Sequence, residues 1–328
     1  MRNMNWRKAV KLTGVLLTAI VLVLAACTTA KPTPVTVTST PSPVKDSGTL
    51  RTAEIFDQDK YKDKLTVRYF YMDAAEASGD CILIQTPDGK TMMIDSGLPE
   101  VGEQVVNYLN KLNVQTIDVA LNTHPHSDHI GGFATVLKQK DVKKFYMENL
   151  PYPDSNAYMN VIKALQEKNI TPEYLEEGSS FELGSDLKVT VLSPKKGVLP
   201  QAVKSYDYAT LNYYSMVVKV TYKNTSFLFT ADIYKDREFE LVEAKADLNA
   251  SFTHVPHHGN ATSSSNTFIE AVSPQYAVMS SNIFQTPEIM KRYQKNNVTV
   301  YSTGLHGNVL ITSDGEKLNA ITEKDWQP

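Results

Sequence analysis

This chain has almost no cysteine with which to build a disulfide framework. Its 328 residues hold only Cys27 and Cys81. Cys27 lies in a segment that reads as processed and lipid-modified, so Cys81 is left without a partner and is expected to pack as a small buried hydrophobe. Basic excess is lacking too, with 33 Lys and Arg against 36 Asp and Glu. The first 26 residues carry four bases (Arg2, Arg7, Lys8, Lys11) and no acid, so their removal leaves 29 against 36, a net charge of −7. That balance argues against a broad nucleic-acid surface, while a local basic patch stays compatible with it. After residue 26 no run resembles a membrane span, which excludes a channel. No internal repeat, second linker, Ser-His-Asp triad or Cys-His pair is evident.

The N-terminus follows a different plan from the rest. A basic start precedes the apolar run Leu12 to Leu24, whose thirteen residues are short for a bilayer and fit a secretory signal. Leu24-Ala25-Ala26-Cys27 matches the bacterial lipobox, in which the cysteine is lipidated after cleavage. The competing reading is an uncleaved anchor helix with an incidental cysteine. Either places the remainder outside the cytoplasm, tethered to a membrane. Thr28 to Gly48 is rich in Thr, Pro and Ser and reads as an extended spacer. Three segments are therefore expected: a signal over 1–26, a tether over 27–48 and one globular domain over 49–328.

Within that domain the apolar pattern predicts strands over 65–72 and 81–86, with a hairpin turn at Pro87-Asp88-Gly89-Lys90 leading into Thr91 to Asp95. Helical spacing follows at 99–112, a strand at 117–122 and a helix at 131–139. Further on, helices are expected at 155–168, 235–245, 264–272 and 286–295. Strands are expected near 187–192, 213–220, 225–231, 250–255, 276–280, 298–302 and 308–312. A strand meander followed by mixed strands and helices, twice over, points to two sheets packed between helical layers.

Three of the seven histidines fall in His124-Pro125-His126-Ser127-Asp128-His129, which is followed by Gly131-Gly132. Imidazole is a common metal ligand and a neighbouring carboxylate adds a hard donor. In an extended loop His124 and His126 point the same way, with Asp128 and His129 one step further. That suits two adjacent ions. Asp95 and Asp232 each close an apolar run, where an unpaired buried charge is costly and a partner is expected. Phe252 to Asn260 supplies His254, His257 and His258. His254 reads as a core or supporting residue, His306 as an ordinary loop residue, and Lys90, Lys143 and Lys144 as solvated surface.

Together, His124-x-His126-x-Asp128-His129, Thr230-Ala231-Asp232 and His257-His258-Gly259 resemble the metallo-β-lactamase-fold hydrolases. Within them the chain looks most like the metallohydrolase domain of the ComEC competence channel and its stand-alone relatives. The likeness spans 65–315 and includes Asp80 to Gln85, Asp88-Gly89-Lys90, Ile94 to Gly97 and Asn212 to Val218. It extends, at similar spacing, to the teichoic-acid phosphorylcholine esterases. The resemblance implies an α/β four-layer αββα sandwich with metals at one sheet edge. His124 and His126 would hold the first metal, Asp128 and His129 the second, and Asp232 would bridge them. His257, with His258 as the alternative, would complete the second site, and Asp95 would orient a ligand histidine. Three departures are visible. No histidine occurs between His129 and His254, Ala231 replaces the family's glycine, and Gln285-Thr286-Pro287 stands where Gly-His-Pro is frequent.

Two divalent ions about 3.5–4 Å apart can activate a water and clamp attacking and leaving oxygens. Zinc is the expected pair, and manganese also suits such donors. Asp128 and Asp232 are then the catalytic acids that fix the nucleophile. The function expected is a surface-anchored phosphodiesterase, nuclease-like, held to the membrane through lipidated Cys27 and acting on DNA or a wall polymer. The alternatives are a teichoic-acid phosphorylcholine esterase and, in another class, a non-catalytic metal-stabilised DNA- or polymer-binding lipoprotein. A true β-lactamase is disfavoured by the missing intermediate histidine and the ComEC-like flanks.

Overall fold

The computed structural model of the chain describes residues 50–204 and 207–326, so the leader, the lipobox and the Thr/Pro/Ser-rich spacer fall outside the described residues. Within them the chain forms β1 (Leu65–Tyr69), β2 (Ile82–Gln85), β3 (Thr91–Ile94), β4 (Thr116–Leu121), β5 (Asp141–Met147) and β6 (Glu173–Tyr174). There follow β7 (Ser180–Leu183), β8 (Leu187–Ser193), β9 (Val217–Tyr222), β10 (Thr225–Phe229), β11 (Phe252–His254), β12 (Tyr276–Met279), β13 (Thr299–Ser302), β14 (Val309–Ser313) and β15 (Leu318–Thr322). One sheet runs β15-β14-β1-β2-β3-β4-β5-β6 and the other β13-β12-β11-β10-β9-β8-β7.

Side-chain alternation explains the layering. Ile82 and Ile84 of β2, Met92 and Ile94 of β3, and Val119 and Leu121 of β4 face Val189, Val218, Phe227 and Phe252 of the other sheet. Their neighbours Leu83, Met93 and Ala120 point the opposite way, onto helices Gly102–Lys111, Phe133–Gln139 and Asn156–Glu167 through Val105, Leu109, Phe133 and Val161. The second sheet is covered likewise by helices Lys235–Glu243, Asn266–Val272 and Pro287–Lys295. Strands buried on both faces read as continuous apolar runs, which is why the central ones were visible in sequence. The αββα sandwich is thus the fold.

The strands without such a run were missed. β6, β7 and β15 are at or near sheet edges and carry exposed polar positions, and β5 contains the exposed pair Lys143-Lys144. Edge strands need less apolar surface, so their sequence signal is weak. The strand expected over 213–220 begins only at Val217. A short helix, Tyr208–Tyr213, precedes it, started by Asp207, whose side chain accepts from the Thr210 N–H (3.3 Å). Cys81 is a buried free cysteine. Among the described residues no helix is long and apolar enough to cross a membrane.

Candidate metal centre

The strands deliver their functional residues to one edge. β3 runs into Asp95, β4 into a loop bearing His124 and His126 and then the helical turn Ser127–Ile130 bearing Asp128 and His129, β10 into Asp232 and β11 into His257-His258. Such crevices beyond strand ends are where layered α/β proteins place ligands. Two glycines let the loops close. A Cβ on Gly79 would fall 1.7 Å from the Asp128 carbonyl oxygen, and one on Gly132 would fall 2.1 Å from that of Ser96. Gly79 thereby sets Asp80 beside Asp128, whose carbonyl accepts from the Asp80 N–H (3.2 Å). Four residues of the site adopt left-handed backbone: Asp95, Ala231, His257 and His258, with φ between 47° and 55°. Ala231 therefore keeps the conformation its glycine counterpart would favour, at a cost of about 1 kcal/mol.

The donor atoms fall into two groups that share Asp232. In the first, His124 Nε2 lies 3.0 Å from His126 Nδ1 and 3.8 Å from Asp232 Oδ2. In the second, His129 Nε2 and His258 Nε2 are 3.3 Å apart, and Asp232 Oδ2 is 3.3 and 3.4 Å from them. Asp128 Oδ2 closes this group, 3.4 Å from His258 Nε2 and 3.9 Å from His129 Nε2. A tetrahedral metal with bonds of about 2.0–2.1 Å sets its donors about 3.3 Å apart. The 3.3–3.4 Å separations around His258 Nε2 and Asp232 Oδ2 in the second group match that spacing. The other oxygen of Asp232, Oδ1, is buried with no hydrogen-bond partner, an orphaned acceptor that a cation would satisfy.

Hydrogen bonds behind the rings aim these donors. His129 donates from Nδ1 to Asp95 Oδ2 (2.8 Å) and His258 from Nδ1 to the Ser280 carbonyl (2.8 Å), leaving both Nε2 atoms facing the cluster. The Thr123 hydroxyl donates to Asp95 Oδ2 (2.6 Å) and so accepts from His124 Nδ1 (3.1 Å). Asp95 thus orients a ring in each group, directly and through Thr123. Changing Asp95 to Ala is therefore expected to weaken metal binding at both positions by about 10–100-fold. Competition with a chromophoric chelator measures this, and an unchanged affinity at either position would contradict the relay.

Electrostatics prepare the pocket for cations. Burial opposes protonation of His129 and His258, yet surrounding carboxylates, Asp232 foremost, hold both imidazoles well above their usual range. Burial, with the neighbouring His129, pushes His124 well down, and burial brings His126 to about 4, so both offer neutral lone pairs. Burial also works against the Asp232 carboxylate, but His258 and His129 keep it well below the ordinary range.

The geometry reverses one preference read from the sequence. His258 is the member of the histidine pair that enters the cluster. His257 sits at the rim, its Nε2 3.8 Å from Asp232, its Nδ1 paired with Thr262 Oγ1 (2.7 Å) and its ring 5.2 Å from that of Tyr234. Consecutive left-handed residues project in different directions, so only one could join His129. His254 lies behind the cluster with Nε2 3.1 Å from Asp80, and His306 lies apart, edge-on to Trp326.

Sequence reasoning missed two acids here. Asp80 approaches the Nδ1 sides of His258 (3.2 Å) and His129 (3.8 Å), away from the Nε2 atoms, and so backs the ligand rings rather than joining the donor set. Glu148 follows Phe145-Tyr146-Met147 of β5, is fully buried, and burial pushes its carboxyl well up. The signal that singled out Asp95, an acid closing an apolar strand, was present for Glu148 as well. Near the first group, which has three donors, Asn212 Oδ1 and Ser215 Oγ are buried without partners. The N–H of Met216 donates to the Thr123 carbonyl (2.8 Å) and ties that segment to His124.

A four-layer αββα sandwich carrying a shared His/Asp cluster at its sheet edge defines a metallo-β-lactamase-fold protein, a class generally of metal-dependent hydrolases. The chain belongs to the Metallo-beta-lactamase superfamily, whose sequence profile matches residues 75–281. It is distantly homologous to ComE operon protein 3 of Bacillus subtilis, 25% identical over 215 residues that make up 64% of this chain and 26% of that protein. Competence protein ComA of Neisseria gonorrhoeae is 26% identical over 238 residues, 70% of this chain and 30% of that protein. The matched region is thus only about a quarter to a third of those relatives. Among solved structures, a long form RNase Z from yeast superposes with a TM-score of 0.52 at 10% identity, over 81% of this chain and 50% of that one. The metallo-beta-lactamase fold protein YhfI of Bacillus subtilis gives 0.50 at 13%, over 76% and 100%. At such identities the likeness to solved structures concerns the fold.

Proposed function

We propose that this chain is a binuclear-metal phosphodiesterase of nuclease type, anchored at the cell surface through Cys27. The observation that carries the hydrolytic reading is Asp232 Oδ2, which lies within 3.8 Å of His124 Nε2 in one donor group and of His129 and His258 Nε2 in the other. A purely structural site needs neither a second metal position nor an open one. Two ions, zinc or manganese, would be held by His124, His126 and Asp232 and by Asp128, His129, Asp232 and His258. When bound, they would acidify a water and offset charge on the phosphoryl oxygens. Asp128, which keeps some solvent exposure, fixes the second position from the open side.

The substrate reading rests on the competence relatives and on the rim. The ring of exposed Tyr208 is 5.4 Å from that of His126, and a cavity of about 560 Å³ beside it is lined by Tyr213, Tyr214 and Tyr234. Aromatic faces stack unpaired bases, so this rim suits a single-stranded nucleic acid. The anchor rests on the lipobox alone.

The test compares cleavage of single-stranded DNA with release of choline phosphate from wall polymer, each with and without chelator. DNA cleavage that chelator abolishes and added zinc or manganese restores is expected, with at least about a 10²-fold loss in Asp128→Ala of unchanged thermal stability. Choline phosphate release alone would replace the nuclease reading with the esterase one. Activity on neither substrate would leave the metal-stabilised binding lipoprotein.

A further inference from the structure

The opposite end of the first sheet holds another polar site. Thr66 of β1 and Thr91 of β3 both pair with Gln85 of β2, and the Thr91 hydroxyl donates to the Thr116 carbonyl of β4 (3.0 Å). These residues form a row at the strand ends remote from the metal centre. Asp95 is four residues along β3 from Thr91, about 13 Å at strand rise. A cavity of about 490 Å³ opens over this row, and Arg68, Lys62 and Lys64 line it too.

Arg68 makes the cavity unusual. Its exposure is 1%, so its guanidinium lies inside the fold. Nε donates to the Ile55 carbonyl (2.8 Å), and Nη1 donates to Thr66 Oγ1 and Gln85 Oε1 (2.8 Å each). Nη2 has no hydrogen-bond partner among the described residues, yet it is not among the fully enclosed orphan atoms, so it meets the cavity. No carboxylate among the described residues pairs with the guanidinium. Burial lowers its pKa to about 10, with only the Tyr61 hydroxyl acting the other way, and it stays charged at neutral pH. A buried cation without a counter-charge is costly, and its planar fork matches two oxygens of one anion. Lys62 is exposed and Lys64 half-buried, Asp59 is the one acid of the lining, and Asp314, outside the lining, also acts on Lys64.

We propose that this cavity is an anion site, in which Nη2 of Arg68 and the Lys64 ammonium hold a phosphate or carboxylate group and the strand-end threonines contact the polar remainder of the ligand. The site is separate from the metal centre and independent of the reaction performed there.

Amide shifts of the isotopically labelled, zinc-loaded protein during titration with inorganic phosphate, and separately with acetate, test this. Chloride at matched ionic strength is the control. Saturable shifts at Thr66, Gly89 and Asn113 are expected with at least one of the two anions, and the responding one tells a tetrahedral from a planar oxyanion. Binding there should weaken at least about tenfold in Arg68→Gln and about threefold in Lys64→Ala, a rim change that leaves the core intact. It should persist in His126→Ala. Shifts confined to the loop of residues 124–129, or cavity shifts equal in wild type and Lys64→Ala, would overturn the proposal even if Arg68→Gln failed to fold.

Discussion

Replacing Asp232 with Ala is expected to empty both metal positions together, taking bound metal from two ions per chain to below one and lowering kcat/KM by at least about 10³-fold. At 1.36 kcal/mol per decade, that is about 4 kcal/mol of transition-state stabilisation. Oδ2 lies within 3.8 Å of donors in both groups, while His124 and His126 belong to one and His129 and His258 to the other. The fold should survive, because Asp232 lies just past the end of β10 and faces the histidines of the site rather than the apolar core between the sheets. His126→Ala supplies the contrast, since it should remove the first ion and leave the second. Metal analysis by mass spectrometry distinguishes the two patterns. Two ions per chain in Asp232→Ala would mean that the carboxylate bridges nothing.

The histidine pair gives the second large effect. His258→Ala should cost about 10²–10³-fold in kcat/KM together with the second ion, whereas His257→Ala should cost less than about tenfold and keep both. The difference follows from ring placement. His258 Nε2 has His129, Asp128 and Asp232 within 3.4 Å, and its Nδ1 is committed to the Ser280 carbonyl. His257 has Asp232 at 3.8 Å and otherwise meets Thr262 and Tyr234. Equal losses in the two variants, or a larger one in His257→Ala, would restore the preference for His257 that the family resemblance implies.

Much of the fold was legible because its central strands bury both faces. Ile82 to Gln85, Thr91 to Ile94 and Thr116 to Leu121 announce themselves by apolar content, and the turn at Asp88-Gly89 fixes the first hairpin. β5 was not legible, since Lys143-Lys144 interrupts its pattern and its continuous burial begins only at Phe145. The helix Tyr208–Tyr213 was hidden for another reason. Its tyrosines suit strand as well as helix, and the cap from Asp207 decided between them.

What the sequence alone determined is local: donors spaced within one loop, as in His124 to His129, and acids closing apolar runs, as at Asp95 and Asp232. Spacing along a backbone fixes which of those side chains share a side, whatever surrounds them. Tertiary structure decided everything that depends on a partner far along the chain. It chose His258 over His257, set Asp80 behind the ligand rings, buried Glu148 at the end of β5, and left Arg68 facing a cavity without a counter-charge. Each of these turns on direction and distance across the two sheets, which side-chain type and order do not encode.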